Sequence, residues 1–384
     1  MDKFNFVDAE LSSRTAKNRL RDLFPVVPLT DVEIDFHGQR VINFCSNDYL
    51  GLSMHPALRE RAGQYLDKYG SGATASRLVC GDYDIFSFVE AKIARAKHKE
   101  AALVFNSGFQ ANISILPALA NHESVIFSDA LNHNSIIQGA RLSRARVVVF
   151  PHNDIHGLKR LLSEHALNGV RIIIVTESIF SMDGDIADLE TIRELSYEFN
   201  SILVVDDAHA TGVMGKNGMG LASGDGADVI MSTFSKGGGG FGACVACSKR
   251  LRDYFINVSP GFIYSTALPP AVIGAIDAAL DIIPQMDKER EKLCANAGKV
   301  RRELHNMGWD TGNSGSQIIP VVVGPEQKAL ALSSWLFENG ILAVAIRPPS
   351  VPEGGSRIRI SLCAGHSDTH IDRLLDTFDR FKGV

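Results

Sequence analysis

Short apolar runs alternate with amphipathic stretches through the middle of the chain. The apolar runs predict buried strands, which fall at residues 102–105, 124–127, 146–150, 171–175, 202–205, 229–231 and 243–246. Between them, apolar residues recur at helical spacing and predict helices that follow Ser107, His133, Asp154 and Leu189. Such alternation with short connections is typical of a mostly parallel sheet wrapped by helices. We therefore predict an α/β fold.

The N-terminal part shows two different patterns. Residues 7–23 carry apolar side chains at helical spacing among many charges, which predicts a surface helix that includes Arg19 and Arg21. From these residues alone, both arginines serve only the solubility of the helix. Residues 30–44 alternate between apolar and polar positions, which predicts a small antiparallel pair that turns at His37 and Gly38.

The C-terminal part predicts a second, smaller α/β domain. Two helices, at 269–283 and 288–307, lead into it. Its predicted elements are a strand at 317–323, a helix at 327–338, strands at 342–346 and 357–361, and a helix at 369–381. We expect three parts: an N-terminal segment over residues 1–50, a large α/β domain over 51–285 and a C-terminal α/β domain over 286–384.

Composition limits the possible partners. The chain has 384 residues and a formal net charge of −5, so it has no global basic surface for nucleic acid or an anionic membrane. The start lacks an apolar signal region, and no stretch reaches the roughly 18 apolar residues of a membrane span, which favours a cytoplasmic protein. The six cysteines are scattered, which indicates reduced thiols. Cys244 and Cys247 fall in a predicted strand and lack the partners of a metal site, so we expect no bound metal.

Polar side chains follow two of the predicted central strands. Asp206 and His209 come directly after the run 202–205, and Thr233 and Lys236 follow the run 229–231. Open α/β sheets bind their ligands at the carboxyl ends of their strands. An acid, an imidazole, a hydroxyl and an amine are therefore expected to converge on one crevice.

This set of side chains suits pyridoxal 5'-phosphate (PLP). The cofactor needs a lysine for its covalent link, a carboxylate that keeps the ring nitrogen protonated, and donors for its phosphate. Lys236 could form the link, Asp206 could pair with the ring nitrogen, His209 could bond the phenolic oxygen, and Thr233 could hold the phosphate. Each residue alone is more often a solvated or structural one, but their joint order favours the cofactor.

Two further sites flank this crevice. Ser107, Gly108 and Phe109 follow a predicted strand and open a helix, which directs free N–H groups at an anion such as a phosphate; an ordinary helix cap is the alternative. His133 also follows a strand end, where it could stack on the cofactor ring or serve only in a turn. The glycines at 237–242 fit the G-x-G-x-x-G pattern of dinucleotide sites, but a lysine precedes them and a strand follows. We interpret them as clearance beside Lys236.

Motifs along nearly the whole chain resemble the α-oxoamine synthases. The segments that carry the resemblance lie near Arg21 and at 46–52, 70–81, 107–112, 180–185, 262–270 and 345–352. These enzymes use PLP, have the fold of type I aminotransferases, and condense an amino acid with an acyl thioester while releasing carbon dioxide. The resemblance implies the same fold and reaction class here.

The resemblance also implies roles for individual residues. The counterpart of Arg21 lies where the acyl donor enters, and that of Asn47 helps to hold the amino-acid carboxylate. Ser181 matches a serine near the cofactor oxygen and His209, and Ser350 corresponds to a residue of the acyl channel. Arg357 and Arg359 alternate with isoleucines and so share one face of a strand; by family position, Arg359 is expected to bind the carboxylate.

The resemblance implies that the substrates are L-alanine and pimeloyl-CoA or pimeloyl-acyl-carrier protein, joined in a step of biotin synthesis. A sister activity that joins glycine and acetyl-CoA would share every cofactor residue, whereas a non-catalytic scaffold would be expected to lose Lys236 or Asp206. The counterpart of His133 stacks on the cofactor ring in the family, which implies that His133 covers the ring and assists the acyl oxygen in catalysis. The threonine that matches Thr266 reaches the phosphate in the neighbouring subunit, which implies a homodimer with shared active sites.

Overall fold

The computed structural model describes residues 3–165 and 169–382. The chain divides into two compact units. The larger unit comprises Asp48–Ser181 and Ile186–Glu291, and the smaller comprises Met1–Asn47, Met182–Asp185 and Lys292–Val384. The sequence-based domain boundaries after residues 50 and 285 stay predictions.

The strands and helices of the described residues are numbered in chain order. The strands are β1 (Val27–Pro28), β2 (Glu33–Phe36), β3 (Gln39–Asn43), β4 (Ala101–Phe105), β5 (Ser124–Asp129), β6 (Arg146–Phe150), β7 (Arg171–Glu177), β8 (Ile202–Asp206), β9 (Val229–Thr233), β10 (Ala243–Cys247), β11 (Ile318–Gly324), β12 (Ile341–Leu342), β13 (Ala345–Ile346) and β14 (Ser356–Ser361). The helices are α1 (Asn5–Ala16), α2 (Pro56–Tyr69), α3 (Asp84–Ala96), α4 (Gly108–Leu119), α5 (Asn134–Leu142), α6 (Ile155–His165), α7 (Leu189–Glu198), α8 (Lys249–Val258), α9 (Pro260–Ile263), α10 (Pro270–Ile282), α11 (Asp287–Asn306), α12 (Glu326–Glu338) and α13 (Asp368–Asp379).

The larger unit is built on a seven-stranded sheet. Its strand order is β4-β10-β9-β8-β7-β5-β6, and only β10 runs antiparallel to its neighbours. Most residues of its central strands are buried, as expected for a sheet that helices cover on both faces. The predicted α/β fold with a mostly parallel seven-stranded sheet is confirmed.

The register of the central strands brings their carboxyl ends together. Glu177 at the end of β7 pairs with Asp206 at the end of β8, and Asp206 pairs with Met231 near the end of β9. Helix α4 packs Ala111 and Ile115 into the core of this unit and begins directly after β4. The side chains that follow these strands are therefore expected at one edge of the sheet.

The smaller unit contains two sheets. One has the order β1-β2-β3-β12 and the other the order β11-β14-β13. All six residues of β14 are buried, including Arg357 and Arg359, and β11 and β13 pair with this strand on either side. The predicted turn between β2 and β3 is present, and His37 and Gly38 both have positive φ, as the tight turns of hairpins require.

Two sequence-based predictions about this unit are wrong. The first helix ends at Ala16 rather than residue 23, so Arg19 and Arg21 lie in the irregular segment that follows. The apolar spacing beyond Ala16 has no core to face, and Leu23 is wholly exposed. The strand predicted at 342–346 is two short strands. β12 pairs in parallel with β3, and β13 pairs antiparallel with β14, so the chain changes sheets between them.

Two observations concern membrane spans and metal ligands. In the described part of the chain, no helix is both long and apolar enough to cross a membrane. Within residues 3–165 and 169–382, no group of three or more His, Cys, Asp or Glu side chains could hold a metal ion.

Cys244 and Cys247 are buried in β10. Burial raises the pKa of each thiol to about 12, so both stay protonated and unreactive near neutral pH.

Candidate active site

The Asp206 carboxylate is buried and held from two sides. Its Oδ2 accepts a hydrogen bond of 2.9 Å from Asn112 Nδ2, and its Oδ1 accepts one of 3.1 Å from the main-chain N–H of Ala208. Asn112 lies on α4, is 1% exposed, and donates also to Ser135 Oγ. The carboxylate therefore has a fixed orientation at the end of β8. Asn112 was not among the predicted site residues, although it is a polar residue on a largely apolar helix.

The Lys236 amine lies against an imidazole. Lys236 Nζ is 2.8 Å from Nε2 of His209, and Nδ1 of the same ring is 2.6 Å from the hydroxyl of Tyr49. Tyr49 is fully buried, so the hydrogen bond fixes the plane of the His209 ring from behind. The predicted pair of Lys236 and His209 is thus brought together. Tyr49 was missed, although the motif at 46–52 contains it.

The glycines after Lys236 allow close packing of its loop. A Cβ at Gly237 would lie 2.5 Å from the carbonyl oxygen of Thr211, and a Cβ at Gly239, which has a φ of +64°, would collide with Leu52. By contrast, the position of Gly240 has only ordinary contacts around it. These contacts agree with the interpretation of the glycines as clearance beside Lys236.

The start of α4 and the end of β9 form a cradle for an anion. Ser107 caps the helix, and its Oγ accepts a bond of 3.2 Å from the N–H of Gln110. The N–H groups of Gly108 and Phe109 belong to the first turn, where a helix supplies no acceptor. A Cβ at Gly108 would lie 2.6 Å from Cγ2 of Thr233, so only glycine permits this approach. Both alternatives for Ser107, helix cap and part of a phosphate cradle, are compatible with this geometry.

The hydroxyl of Thr233 is the clearest sign of a ligand in this cradle. Thr233 is 5% exposed, and its Oγ1 is buried without a hydrogen-bond partner in the described residues. A buried hydroxyl that makes no hydrogen bond costs about 1–3 kcal/mol. A phosphate at the start of α4 would accept its hydrogen and those of the first-turn N–H groups. The residues present therefore fit a phosphorylated cofactor.

His133 and Glu177 lie on the other side of the Asp206 carboxylate. The N–H of His133 donates to Glu177 Oε1 over 2.6 Å, and Nδ1 of its ring lies 2.7 Å from Ser135 Oγ. Desolvation lowers the pKa of His133, with Asp206 opposing, although part of the side chain is exposed. Burial and the charge of Asp206 raise the pKa of Glu177 well above its usual range, with Lys236 opposing. The surroundings thus favour a neutral imidazole. That this ring stacks on a cofactor stays a prediction.

Ser181 and Thr266 are placed differently. Ser181 is 9% exposed, and its role beside His209 stays a prediction. Thr266 is exposed, its main chain bridges to Ser76, and its carbonyl accepts a bond of 3.0 Å from Asn106 Nδ2. The main chain of Thr266 is therefore fixed, whereas its side chain lies at the surface of the larger unit.

In the smaller unit, Arg359 and Asn47 are in contact. Arg359 Nη2 donates to Asn47 Oδ1 over 3.1 Å, and its Nη1 donates to Ser361 Oγ over 2.6 Å. Arg357 on the same strand instead forms an ion pair with Asp183 and donates to the carbonyl of Gly355. The guanidinium of Arg357 is thus neutralised by Asp183. That Arg359 binds a carboxylate stays a prediction.

The second group in this unit is the arginine pocket, lined by Arg19, Arg21, Arg347 and Ser350. Arg21 Nη2 donates to Ser350 Oγ over 3.0 Å, which brings these two predicted residues together. Arg19 forms ion pairs with Glu326 and Glu353. Arg347 donates to main-chain carbonyls, and burial together with the charge of Arg21 lowers its pKa. The pocket thus presents cationic groups that suit an anionic ligand.

Comparisons with known proteins place these features in a family context. The sequence profile for aminotransferase class I and II matches residues 39–378. The chain is 45% identical to the 8-amino-7-oxononanoate synthase of Gluconacetobacter diazotrophicus, over 99% of this chain and 98% of that protein. It is 42% identical to that of Geobacter sulfurreducens, over 97% of each chain. A protein of Desulfosudis oleivorans that carries the same name provisionally is 56% identical over all of both chains.

Solved structures agree with this picture. The serine palmitoyltransferase of Sphingomonas wittichii superposes with a TM-score of 0.92 at 29% identity, over 98% of this chain and 96% of that one. A serine palmitoyltransferase from S. paucimobilis with bound PLP and myriocin has a TM-score of 0.91 at 26% identity, with the same coverage. The 8-amino-7-oxononanoate synthase of Francisella tularensis has a TM-score of 0.77 at 28% identity, over 88% of this chain and 97% of that one.

Proposed function

Since the chain belongs to the class I and II aminotransferase family, and within it to the 8-amino-7-oxononanoate synthases, we propose that it makes 8-amino-7-oxononanoate for biotin synthesis. The reaction condenses L-alanine with a pimeloyl thioester and releases carbon dioxide. The observation that carries this proposal is the 56% identity over the whole chain. The arrangement of Asp206, His209, Lys236 and the unpartnered Thr233 hydroxyl supports it independently.

PLP is the cofactor that this site fits. Lys236 would hold it covalently, Asp206 its ring nitrogen, and His209 with Ser181 its phenolic oxygen. Thr233 and the start of α4 at Ser107, Gly108 and Phe109 would hold the phosphate. When bound, PLP supplies an electron-withdrawing ring that stabilises negative charge at the α-carbon of the amino acid.

Four side chains of this protein are assigned the proton transfers and the orientation of the reacting groups. With the amino acid bound, Lys236 Nζ would be the base that removes the α-proton, and His209 beside it would orient the amine. Asp206, held by Asn112, keeps a proton on the ring nitrogen. A neutral His133 covers the ring and donates to the acyl oxygen.

The substrate side is assigned to the smaller unit. Arg359 and Asn47 bind the carboxylate of L-alanine, because a guanidinium fork matches a carboxylate in two hydrogen bonds. Arg21 and Ser350 contact the acyl donor, whose pimeloyl group ends in a second carboxylate. Among the residues that the structure describes, the Arg21 guanidinium donates to the Ser350 hydroxyl and forms no ion pair, whereas Arg19 is held by two glutamates.

The experiment that tests this function compares substrates on one protein preparation. L-Alanine, glycine and L-serine are each paired with pimeloyl-CoA, pimeloyl-acyl-carrier protein and acetyl-CoA, and products are identified by mass. We expect turnover with L-alanine and a pimeloyl thioester to exceed all other pairs. Preference for glycine with acetyl-CoA would assign the sister activity instead. Comparison of turnover with pimeloyl-CoA and with pimeloyl-acyl-carrier protein shows which acyl carrier the enzyme uses.

The active form is a homodimer with shared sites. Thr266 contacts the cofactor phosphate in the neighbouring subunit, which agrees with its exposed side chain, and two-fold dimers are the commonest soluble oligomers. Inactive Lys236→Ala chains mixed with inactive Thr266 variants should regain activity through hybrid sites. A fully active monomer in sedimentation would refute this assembly.

A further inference from the structure

A buried ion pair lies directly beside the predicted cofactor carboxylate. Lys97, which caps the C-terminal end of α3, is 2% exposed, and Asp207, which follows Asp206, is 0% exposed. Lys97 Nζ and Asp207 Oδ2 are 3.1 Å apart. A buried pair repays its desolvation only when its remaining donors and acceptors are also used. The other hydrogen bonds of Lys97 and Asp207 therefore show which segments of the chain the ion pair fixes.

Lys97 uses all three of its hydrogens. Besides Asp207, its Nζ donates to Thr211 Oγ1 over 2.8 Å and to the carbonyl of Met219 over 2.7 Å. The ammonium lies at the end of α3, where the helix dipole favours a cation. Lys97 therefore ties the turn after β8 and the following loop to a rigid helix.

Both carboxylate oxygens of Asp207 also accept hydrogen bonds. Its Oδ1 accepts bonds from Ser178 Oγ over 2.7 Å and from the N–H of Leu221 over 3.1 Å. A Cβ at Gly220 would collide with its Oδ2 and lie 3.0 Å from Lys97 Nζ, so the main chain itself closes over the pair. The ion pair therefore has no space in which to rearrange.

The elements that the pair ties together carry three predicted catalytic groups. Asp206 precedes Asp207, and its carbonyl accepts a bond of 2.9 Å from the N–H of Ser178, whose hydroxyl bonds Asp207. His209 lies in the turn between Asp207 and Thr211. The carbonyl of Thr211 packs against Gly237, the residue after Lys236. A shift of the pair would thus move Asp206, His209 and the loop of Lys236 together.

We propose that Lys97 and Asp207 are positioning residues for the reaction that the proposed function describes. Neither contacts the reacting groups; they act by fixing the strand end and turn on which Asp206 and His209 lie. A displacement of about 1 Å at a reacting group can cost about 100-fold in rate. The pair contributes to catalysis by preventing that displacement.

The test is Lys97→Met in the PLP-loaded protein. The side chain keeps its length but loses the charge and three hydrogen bonds. We expect kcat to fall about 100-fold, while the KM for L-alanine changes by less than about threefold, because substrate contacts remain. The visible circular dichroism of the bound cofactor should also change, since it reports the asymmetry of the ring's surroundings. Wild-type kcat and circular dichroism in a folded Lys97→Met variant would overturn the proposal.

The matched control is Lys92→Met. Lys92 lies on the same helix and pairs with the buried Asp277 of α10, and neither of the two is a predicted site residue. We expect this variant to lose stability but to keep the kcat and the cofactor spectrum of the wild type. Equal changes in both variants would mean that loss of any buried ion pair of α3 has this effect, and the positioning role would be rejected.

A second variant covers the case in which Lys97→Met does not fold. Lys97→Met combined with Asp207→Asn removes both charges, while the asparagine still accepts from Ser178 and Leu221. We expect native far-ultraviolet circular dichroism with kcat still lowered, because the bonds of Lys97 to Thr211 and Met219 are gone; wild-type kcat would refute the proposal. If the wild type binds PLP but does not join L-alanine with a pimeloyl thioester, the proposed function fails, and the cofactor spectrum still tests the positioning role.

Discussion

The carboxyl edge of the seven-stranded sheet and the arginine pocket hold their polar side chains in different ways. At the sheet edge, Asp206 and His209 are almost fully buried, and each has a hydrogen-bonding side chain behind it, Asn112 or Tyr49. In the arginine pocket, Arg21 and Ser350 are exposed, lie in irregular segments and are joined by a single hydrogen bond.

This difference indicates a division of labour. A side chain fixed by strand register and buried hydrogen bonds keeps its place within the narrow limits that bond-breaking chemistry needs. A side chain on an exposed irregular segment can change without loss of the fold, which suits the recognition of a variable acyl group. Substitutions at the sheet edge should therefore affect chemistry, and those in the arginine pocket should affect the KM of one substrate.

The largest effect is expected from Lys236→Ala. This variant lacks both the covalent link and the base, so turnover should fall by at least about 10⁴-fold. The protein should also lose the borohydride-reducible attachment of PLP, which peptide mass mapping locates. Lys159→Ala, which removes an exposed lysine paired with Glu198, is the control and should change nothing. A reducible adduct that persists in Lys236→Ala would disprove the assignment.

Asp206→Asn should have the next largest effect. Asparagine keeps the shape and the acceptor for the N–H of Ala208, but it cannot hold a proton on the ring nitrogen of the cofactor. PLP should still bind, while exchange of the α-proton of L-alanine in D₂O, followed by NMR, should slow roughly 10³-fold. Near-normal exchange would remove Asp206 from the mechanism.

The sequence predicted the sheet edge better than its supporting residues. Buried parallel strands are continuous apolar runs, so the ends of β8 and β9, and with them Asp206 and Lys236, could be located from the pattern alone. The hydrogen-bond partners of Asn112 and Tyr49 could not be predicted, because the local sequence does not show which distant residue a buried polar side chain contacts. The same limit hid the ion pair of Lys97 and Asp207.

The smaller unit shows where periodicity misleads. Apolar residues continue at helical spacing to Leu23, but helix α1 buries none of its residues. Because most helices in proteins are stabilised by packing of their apolar face, no packing energy extends this helix beyond Ala16. The apolar run near residue 344 predicts one strand, yet its two halves pair with strands of different sheets. The local sequence pattern shows that a segment is apolar, but it does not show with which strand that segment pairs.

Thr233→Val sharpens the comparison by separating ligand binding from stability. Valine removes a buried hydroxyl that has no partner in the described residues, so the cofactor-free protein should not lose stability in urea unfolding. Affinity for PLP should fall about 10- to 100-fold, because a hydrogen bond to a charged phosphate is lost. Thr211→Val is the matched control: its hydroxyl bonds Lys97 and Asp207, so it should destabilise the cofactor-free protein. Destabilisation by Thr233→Val would indicate a structural hydroxyl.

Ser350→Phe tests the other region. The side chain is exposed, so the fold should tolerate the larger group, but the ring would displace Arg21 from its hydrogen bond and narrow the arginine pocket. We expect the KM for the pimeloyl thioester to rise about tenfold, equivalent to one hydrogen bond, with the KM for L-alanine nearly unchanged. Arg21→Gln should act in the same direction. A similar rise in the KM for L-alanine would show that the two substrates are not recognised separately.

The smallest effect is expected from Glu177→Gln, which tests whether burial at the sheet edge costs stability. Burial and the charge of Asp206 raise the pKa of Glu177 in the folded protein above the unfolded value of 4.5, so the folded state holds its proton more tightly. The contribution of Glu177 to the free energy of unfolding is therefore greatest in acid. It declines as the pH rises above 4.5, until the folded-state pKa is passed.

Glutamine keeps the acceptor for the N–H of His133 and cannot ionise. Glu177→Gln should therefore unfold at higher urea than the wild type at pH 7, and the difference should shrink towards zero below pH 4.5. Glu198→Gln, at an exposed ion pair, should show no such pH-dependent gain. If Glu177→Gln is instead less stable than the wild type at pH 7, the ionised carboxylate stabilises the fold, and its attraction to Lys236 outweighs burial.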